Sequence, residues 1–404
     1  SLSSAAYALY YNMGNLNIKW NIPTFAVALF VCCMVCHGEL ARLKPEPRHL
    51  TSFYLMVSLG GALGGLFVAI GAPRLFHTFA ELPSTLVACC ALATTILWTR
   101  PGDWKIRALL TITRVAMAVF TIALAAYLSY RKHLDDKRFE LSVRNFYGVL
   151  RVYDTPDTED QTGVRELNHG TINHGTQILE DAKRRTPTSY YGPKSGIGRA
   201  LRYLDQKPSV RIGVVGLGAG VTAAYCRPGD VFRFYEINPL DLGIASNWFT
   251  FLKDCPAYRE VLLGDARLTM ERQPSQQFDL IAVDAFSSDA IPVHLLTREA
   301  FVLYFRHLKP NGILAVHVSN RYLDLAPVVS RNAQDVGKAA LQVDDDGDGF
   351  DYLTSSDWIL VTSDPAIGMF TDRIFQAEGI TRARMRRDLR PWTDDYSNLF
   401  QILK

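Results

Sequence analysis

Residues 210–220, VRIGVVGLGAG, decide the fold of the larger part of this 404-residue chain. An apolar run, Val210–Val215, leads into three glycines at alternate positions and then into helix-compatible residues 221–226. The three glycines are Gly216, Gly218 and Gly220. Glycine leaves room for a ligand to approach the backbone, and a strand, a glycine turn and a helix in this order are typical of nucleotide-binding α/β domains.

The same alternation of strands and helices continues along the chain on both sides of this turn. Helices are predicted over residues 195–205 and 240–253. Four more short apolar runs each end at a polar residue or a turn: Val231–Tyr235 before Glu236, Glu260–Leu263 before Gly264, Phe278–Val283 before Asp284, and Gly312–Val318 before Ser319. This pattern predicts a doubly wound parallel sheet of the Rossmann-like α/β class. Ligands of such sheets bind at the carboxyl ends of the strands, where these turns lie.

Two carboxylates at predicted strand ends indicate which nucleotide the turn binds. Glu236 ends the second strand, where a carboxylate can accept hydrogen bonds from both ribose hydroxyls. Asp265 follows the third strand, where it can accept a hydrogen bond from an adenine amino group. A dinucleotide fingerprint would need a third glycine at position 221, which is Val221. The pattern therefore favours an adenosyl ligand of the S-adenosylmethionine type over a nicotinamide cofactor.

The fourth predicted strand leads into a segment with two further carboxylates, Asp284 and Asp289. A carboxylate at this place would lie near the reactive carbon of the adenosyl ligand. It could hold a cationic amine and accept a proton from it, as general-base catalysis requires. A helix N-cap or a solvated loop carboxylate is the alternative reading of both residues.

The N-terminal part of the chain is far more apolar than the rest. Four segments, near 23–42, 50–72, 83–99 and 106–130, are long and apolar enough to span a bilayer, which takes about 20 residues. The sequence thus predicts an N-terminal segment at 1–22 and a membrane domain with four transmembrane helices at 23–130, in contact with lipid.

Between the membrane domain and the predicted Rossmann-like domain at 191–404, the sequence has the features of short strands. Branched and aromatic residues flank Asn145 and Gly148 in a hairpin pattern, and residues 164–179 form one strand-like run. We therefore expect a small antiparallel β-domain at 131–190.

Charge and cysteines limit the classes of function. A formal net charge of +3 is too small to argue for a nucleic-acid partner. Cys226 and Cys255 lie 29 positions apart and suggest no disulfide framework, which is compatible with a reducing compartment. Cys33 and Cys36 have C-x-x-C spacing, but no second pair with zinc-ligand spacing follows, so no metal site is expected.

Beyond these patterns, the chain resembles the spermidine synthase family, and more closely its bacterial subgroup with fused membrane helices. The membrane markers of the resemblance are HGELAR at 37–42 and LTSFYL at 50–55. The markers in the soluble part are His169-Gly170, His174–Gln177, Tyr190–Gly192, Asp284–Thr297, His317–Tyr322 and Trp392–Asn398. The resemblance covers nearly the whole chain.

The resemblance implies a transferase that moves an aminopropyl group from decarboxylated S-adenosylmethionine to a polyamine and releases methylthioadenosine. The catalytic residues would be Asp284, Asp289 and Tyr190. The donor-binding residues would be Gly216, Gly218, Gly220, Glu236, Asp265, Ala266 and Gln177. The amine-binding residues would be Tyr191, Trp392, Asp394 and Asp395.

Several alternatives stay open at this point. Ala219 occupies the turn position where the family usually has an aspartate, which would fit a methyltransferase that uses full S-adenosylmethionine. A membrane-coupled sensor of nucleotides or polyamines, or a transporter, is also compatible with the pattern. The supply of the donor favours an integral protein of the bacterial inner membrane with a cytoplasmic catalytic domain, and a homodimer is one oligomeric state to test.

Overall fold

The computed structural model describes residues 18–99, 107–158, 161–170, 172–286, 292–347, 352–363, 380–382, 386 and 388–404. The chain forms two compact units, Ser1–Val149 and Leu150–Lys404. Each unit has its own architecture.

The first unit consists mainly of helices, which are followed by a short strand. Its helices are α1 (Ile18–Arg42), α2 (Leu50–Leu66), α3 (Ala72–Leu75), α4 (Glu81–Thr99) and α5 (Arg107–Asp136), with a 3₁₀ turn at Pro47–His49, a π-helical turn at Phe67–Gly71 and strand β1 at Leu141–Asn145. Four helical stretches are long and apolar enough to cross a membrane: Ile22–Arg42, Pro47–Leu75, Glu81–Thr99 and Ala108–Asp136.

These four stretches agree with the four predicted apolar segments. Many of their apolar side chains are exposed, among them Leu55 (64% exposed) and Leu63 (56%) in the stretch Pro47–Leu75. In the stretch Pro47–Leu75, none of the most apolar window is buried. A soluble bundle would bury such residues, so this surface suits a lipid environment.

The second unit begins with three short antiparallel strands. They are β2 (Gly148–Thr155), which contains the boundary between the units, β3 (Val164–His169) and β4 (Ile172–Ile178). Strand β3 pairs with both β2 and β4. The strand-like run predicted at 164–179 is therefore two strands joined near Gly170, and the extent of the predicted β-domain at 131–190 stays a prediction.

A mixed sheet forms the centre of the second unit, with eight strands in the order β12-β10-β11-β9-β8-β5-β6-β7. The strands are β5 (Arg211–Val215), β6 (Val231–Glu236), β7 (Tyr258–Leu263), β8 (Phe278–Val283), β9 (Leu308–His317), β10 (Ala339–Asp345), β11 (Ser356–Thr362) and β12 (Ile380–Arg382). The neighbours from β7 to β9 pair in parallel, and those from β9 to β12 pair antiparallel. The predicted Rossmann-like sheet is present, with an antiparallel extension that the sequence did not indicate.

Helices connect the strands of this sheet. They are α6 (Gly196–Leu204), α7 (Pro239–Asn247), α8 (Phe251–Asp254), α9 (Ala266–Arg272), α10 (Arg298–His307) and α11 (Ala326–Asp335), with 3₁₀ turns at Val221–Tyr225, Val293–Leu295 and Leu399–Ile402. The helix predicted at 240–253 is divided into α7 and α8. At the break, the Thr250 N–H donates to the Gln177 Oε1 of β4 at 3.1 Å, a contact with a distant part of the chain.

Strand order places a crevice at the carboxyl ends of β5 and β8. The chain proceeds from β5 to β6 and β7 on one side, and then places β8 and β9 on the other side of β5. Such a reversal leaves a gap between the diverging connections, which is the usual ligand position in doubly wound sheets. Every residue of β8 is buried, so the crevice rests on a fully packed strand.

A disulfide joins Cys226 and Cys255, whose Cα atoms lie 5.4 Å apart. The expectation that this pair suggests no disulfide was wrong. The pair closes the loop that contains β6, because the connection after β5 and the connection before β7 converge at the edge of the sheet. Sequence separation alone gave no information on this distance.

Candidate active site

A cavity of about 680 Å³ occupies the crevice at the carboxyl ends of the parallel strands. Its wall includes six of the predicted site residues: Gly216 and Gly218 of the turn, Glu236, Asp265, Ala266 and Asp284. We call this space the first cavity. The strand-end carboxylates lie together because parallel strands end at the same edge of a sheet.

The turn can approach its neighbours closely because Gly216 and Gly218 lack side chains. A Cβ at Gly216, which has a φ of +99°, would lie 2.2 Å from the main-chain oxygen of Asp284. A Cβ at Gly218 would lie 2.4 Å from the main-chain oxygen of His174 in β4. The turn therefore brings the strand end of β8 and the strand β4 to the same cavity.

Glu236 is fixed by the backbone of its surroundings. Its Oε2 accepts from the Leu217 N–H and its Oε1 accepts from the Asn238 N–H, both at 2.8 Å. Its neighbour in the cavity wall is Asp241 of α7, which is also buried. Burial raises the pKa of both carboxyl groups, and the charge of Glu236 raises the pKa of Asp241 further.

Asp265 combines a structural role with a position in the cavity wall. Its Oδ1 accepts from the Leu268 N–H at 2.9 Å and so caps α9. Its Oδ2 lies 3.1 Å from the His294 Nε2, and His294 also lines the cavity. The Oδ1 of Asp265 is thus used by the helix, and its Oδ2 faces His294.

Asp284 is buried at the junction of several aromatic and imidazole rings. Its Oδ1 lies 2.7 Å from the His317 Nδ1, and its Oδ2 accepts a hydrogen bond from the Tyr191 hydroxyl. Burial by itself would raise the pKa of Asp284, but His317 and the Tyr191 hydroxyl offset burial and hold the pKa below its ordinary value. Asp284 is therefore an anion at neutral pH.

A second cavity lies next to the first and shares two wall residues with it, His174 and Phe286. The second cavity has a volume of about 1010 Å³, including the part open to solvent, and is also lined by Tyr190, His317 and Asp357. Burial raises the pKa of Asp357, and the nearby Asp344 raises it further. Two spaces that meet at a shared wall can hold two reactants side by side.

Other predicted site residues lie elsewhere among the described parts of the chain. Gln177 is buried and donates to the Thr250 hydroxyl at 2.8 Å, and Trp392 is buried in the main core. Asp394 accepts from the Arg267 Nη1 at 2.6 Å, and Asp395 is exposed. None of these four residues, nor Gly220, belongs to the described wall of either cavity.

Tyr191 contacts the site through its hydrogen bond to Asp284, without lining either described cavity. Asp289 lies outside the described residues. The catalytic, donor-binding and amine-binding roles assigned from the sequence stay predictions.

Among the cavity residues that sequence reasoning did not assign to the site are Asp241, His174, Phe286 and His317. Only Asp241 had a usable signal, since it follows Glu236 at the start of a helix and would turn towards the same strand end. His174 and His317 stood in recognised segments, but no spacing rule connected them to Asp284. Their proximity arises from the packing of β4 and β9 on either side of the strand end of β8.

Comparisons with known proteins agree with this arrangement in part. The polyamine aminopropyltransferase of Vibrio vulnificus (strain CMCP6) is 34% identical over 119 residues, which are 28% of this chain and 38% of that protein. The chain is similar to the spermidine synthase family. This similarity confirms the resemblance predicted from the sequence, although it spans less than two fifths of the relative's length.

Two further proteins show more distant similarity. The N-terminal histidine N-methyltransferase of Emericella nidulans is 28% identical over 186 residues, 42% of this chain and 32% of that protein. The crystal structure of a probable spermidine synthase from Corynebacterium glutamicum matches 64% of this chain and 98% of that chain, with 17% identity and a TM-score of 0.48. No family model matches the chain.

Proposed function

We propose that this protein is a polyamine aminopropyltransferase, which transfers the aminopropyl group of decarboxylated S-adenosylmethionine to a polyamine and releases methylthioadenosine. The observation that carries the proposal is the pair of cavities that meet at His174 and Phe286. The first has the glycine turn and strand-end carboxylates that suit an adenosyl group, and the second has room for an amine. The similarity to a polyamine aminopropyltransferase supports the same reaction.

The donor would lie in the first cavity. Glu236 would accept the hydroxyls of the ribose, and Asp265 with Ala266 would contact the adenine. A sulfonium cation suits a wall with several carboxylates, because opposite charges attract strongly where water is excluded. The reacting carbon would then lie near Asp284 and the shared wall.

The charge of the same wall supports the decarboxylated form of the donor. Four carboxylates line the first cavity: Glu236, Asp241, Asp265 and Asp284. Full S-adenosylmethionine carries a carboxylate of its own, which these groups would repel, and the decarboxylated form lacks it. Ala219 does not weaken this argument, because its side chain is buried against Gly175 and it is not part of the described cavity wall.

The amine would lie in the second cavity. Tyr190 lines this cavity, and Tyr191 holds Asp284 from the side. Asp289, five positions after Asp284 in the sequence, would bind the cationic amine. The enzyme would gain much of its rate by holding the nitrogen of the amine in line with the carbon–sulfur bond.

We also propose that the protein is integral to the bacterial inner membrane. The four apolar helices support this placement. Two observations favour opposite faces for the catalytic unit. The supply of the donor favours the cytoplasmic face, and the disulfide Cys226–Cys255 favours an oxidising compartment. Blocking free thiols in intact cells, followed by mass analysis, decides between them, because only a cytoplasmic unit would keep both thiols reduced.

The test of the proposed reaction uses the purified full chain in lipid nanodiscs. Each donor, decarboxylated or full S-adenosylmethionine, is incubated with putrescine, spermidine or a related amine, and the products are identified by mass spectrometry. We expect methylthioadenosine and an amine heavier by one aminopropyl group. Formation of S-adenosylhomocysteine would instead indicate methyl transfer, and donor binding without any product would indicate a sensor.

A further inference from the structure

Asp284 is poorly suited to accept a proton directly from an amine. Both carboxylate oxygens already have partners, the His317 Nδ1 at 2.7 Å and the Tyr191 hydroxyl. The side chain is buried, and its pKa lies below the ordinary value. A carboxylate that is stabilised as an anion in this way is a weak base, so the proton needs a different acceptor.

His317 has the features of that acceptor. Because its Nδ1 faces the anionic Asp284, the neutral imidazole carries its hydrogen on Nδ1 and leaves a lone pair on Nε2. The Nε2 is buried and has no hydrogen-bond partner in the described parts of the chain. A buried polar atom without a partner is unfavourable by about 1–3 kcal/mol, and such atoms often mark a place that a ligand completes.

Aromatic rings fix the orientation of the imidazole. The Tyr190 ring stacks on His317 at a centroid distance of 4.6 Å, and the Trp358 ring stacks on it at 4.7 Å. The interplanar angle is 21° in both pairs. The ring of Phe286 meets the imidazole edge-on at 5.2 Å. His317 is thus held as a rigid plate in the wall of the second cavity, where the amine would bind.

At neutral pH, the groups around His317 leave the Asp284 carboxylate as the anion that its Nδ1 faces. Burial lowers the pKa of His174 to about 4, so this ring is uncharged. Burial and the charge of Asp284 raise the pKa of Tyr190 and Tyr191, so both hydroxyls keep their protons. Asp357, on β11, interacts with His317 without a hydrogen bond among the described contacts. Asp284 is the anion that contacts the imidazole.

We propose that His317 is the general base of this active site and that Asp284 is its positioning residue. The inference rests on the proposed aminopropyl transfer. The ammonium group of the bound amine gives one proton to the Nε2 of His317, and the freed lone pair of the nitrogen attacks the propyl carbon. The carbon–sulfur bond breaks with its electron pair remaining on sulfur, which yields neutral methylthioadenosine. The product nitrogen carries the positive charge, and the imidazolium then releases its proton to water.

A pair of histidine variants separates this role from simple packing. His317→Gln removes the base. His307→Gln removes another buried histidine, at the end of α10, whose Nε2 contacts the main-chain oxygen of Met270 at 2.9 Å and which is not in the described wall of either cavity. We expect His317→Gln to lower kcat by about 10²–10⁴-fold, the usual contribution of a general base. Binding of methylthioadenosine should change less than about threefold. His307→Gln should keep kcat within about threefold, and equal activity of the two variants would overturn the proposal.

Chemical rescue measures whether added imidazole restores turnover, which a role of His317 in packing alone does not predict. His317→Ala leaves a slot between Tyr190 and Trp358 that an added imidazole can enter. A base role predicts that added imidazoles restore turnover and that the restored rate increases with their basicity. Equal rates with strongly and weakly basic imidazoles, or no rescue at all, would contradict the base role.

One measurement distinguishes a failure of this inference from a failure of the proposed function. If the wild-type chain forms no methylthioadenosine with any amine, the proposed reaction is wrong. The tautomer of His317 can still be measured by nitrogen-15 NMR of histidine-labelled protein, with the His317→Gln spectrum as the assignment control. A hydrogen on Nδ1 and a bare Nε2 would support a base, and a hydrogen on Nε2 of the neutral ring would overturn it.

Discussion

The two cavities differ in how their polar groups are used before any ligand binds. In the first cavity, Glu236 already accepts two backbone hydrogen bonds and Asp265 already caps a helix. In the second cavity, the Nε2 of His317 has no described partner. The first cavity therefore resembles a fixed binding frame, and the second has a group left available for chemistry. Variants in the first should mainly change affinity, and variants at the junction should mainly change turnover.

The largest effect is expected at the junction. Asp284→Asn keeps the shape of the side chain but removes the charge that holds the His317 Nδ1, so kcat should fall by about 10³-fold or more. Binding of methylthioadenosine, measured by calorimetry, should remain within about threefold. Asp279→Asn on the same strand is the matched control, because Asp279 contacts Lys207 and Lys309 and is not in the described wall of either cavity. Full turnover in Asp284→Asn would contradict the expectation that residues at the junction of the two cavities mainly control turnover.

A smaller effect, on affinity, is expected in the first cavity. Glu236→Gln replaces an acceptor of two backbone N–H groups with an amide that cannot satisfy both. We expect the Kd of methylthioadenosine to rise by about 10- to 100-fold, since a hydrogen bond to a charged group is worth about 1.5–3 kcal/mol. At a saturating donor concentration, kcat should stay within about tenfold. Glu260→Gln, which loses a salt bridge to Arg233 outside the described cavities, should bind normally.

Removing the disulfide should lower the stability of the fold around the first cavity without changing the residues that would contact a ligand. Replacing both Cys226 and Cys255 by serine should lower the free energy of unfolding by about 3–4 kcal/mol, because the cross-link closes a 29-residue loop. Neither cysteine is part of the described cavity walls, so turnover at low temperature should be unchanged. A reductant should lower the Tm of the wild type and leave the Tm of the double variant alone. A wild-type Tm that does not respond to reductant would argue against the cross-link.

The smallest expected effect concerns the two buried carboxylates of the first cavity. Because the pKa of Asp241 is raised in the folded state, this group destabilises the fold at neutral pH, and the penalty fades as the pH falls through the raised pKa. Asp241→Asn should therefore raise the Tm by about 2–4 °C at pH 7.5, the shift that follows from about 1 kcal/mol. The gain should disappear in mildly acidic buffer.

Asp388→Asn is the control for this pH series, because Arg386 holds the pKa of Asp388 below its ordinary value. Its carboxylate form is favoured in the folded state, so the control should show no gain in Tm at neutral pH. A gain in Asp241→Asn that persists unchanged at low pH would contradict the explanation by titration.

Several residues singled out from the sequence line the first cavity because they follow strand ends. Gly216, Glu236, Asp265 and Asp284 are each adjacent to an apolar run, and the parallel arrangement of those runs forces them to one edge. The second cavity had no such local signal. His317 and Trp358 come from antiparallel neighbours, β9 and β11, and their ring stacking depends on the register of that pair.

Two predicted site residues lie outside the described cavity walls for the same reason. Gln177 and Trp392 belong to segments that resemble the spermidine synthase family, and their residue types are suited to ligand contact. In the fold, the Gln177 amide binds the backbone and side chain of Thr250, and Trp392 is in the core. A local motif identifies a segment, but which of its side chains faces a cavity is decided by tertiary packing.

A ligand-bound structure tests the contrast between the two cavities most directly. We would determine the structure of the full chain in nanodiscs with methylthioadenosine and spermidine. We expect the adenosine in the first cavity with its sulfur beside Asp284, and an amine nitrogen in the second cavity within about 3 Å of the His317 Nε2. Methylthioadenosine in the second cavity, or an amine bound remote from His317, would contradict it.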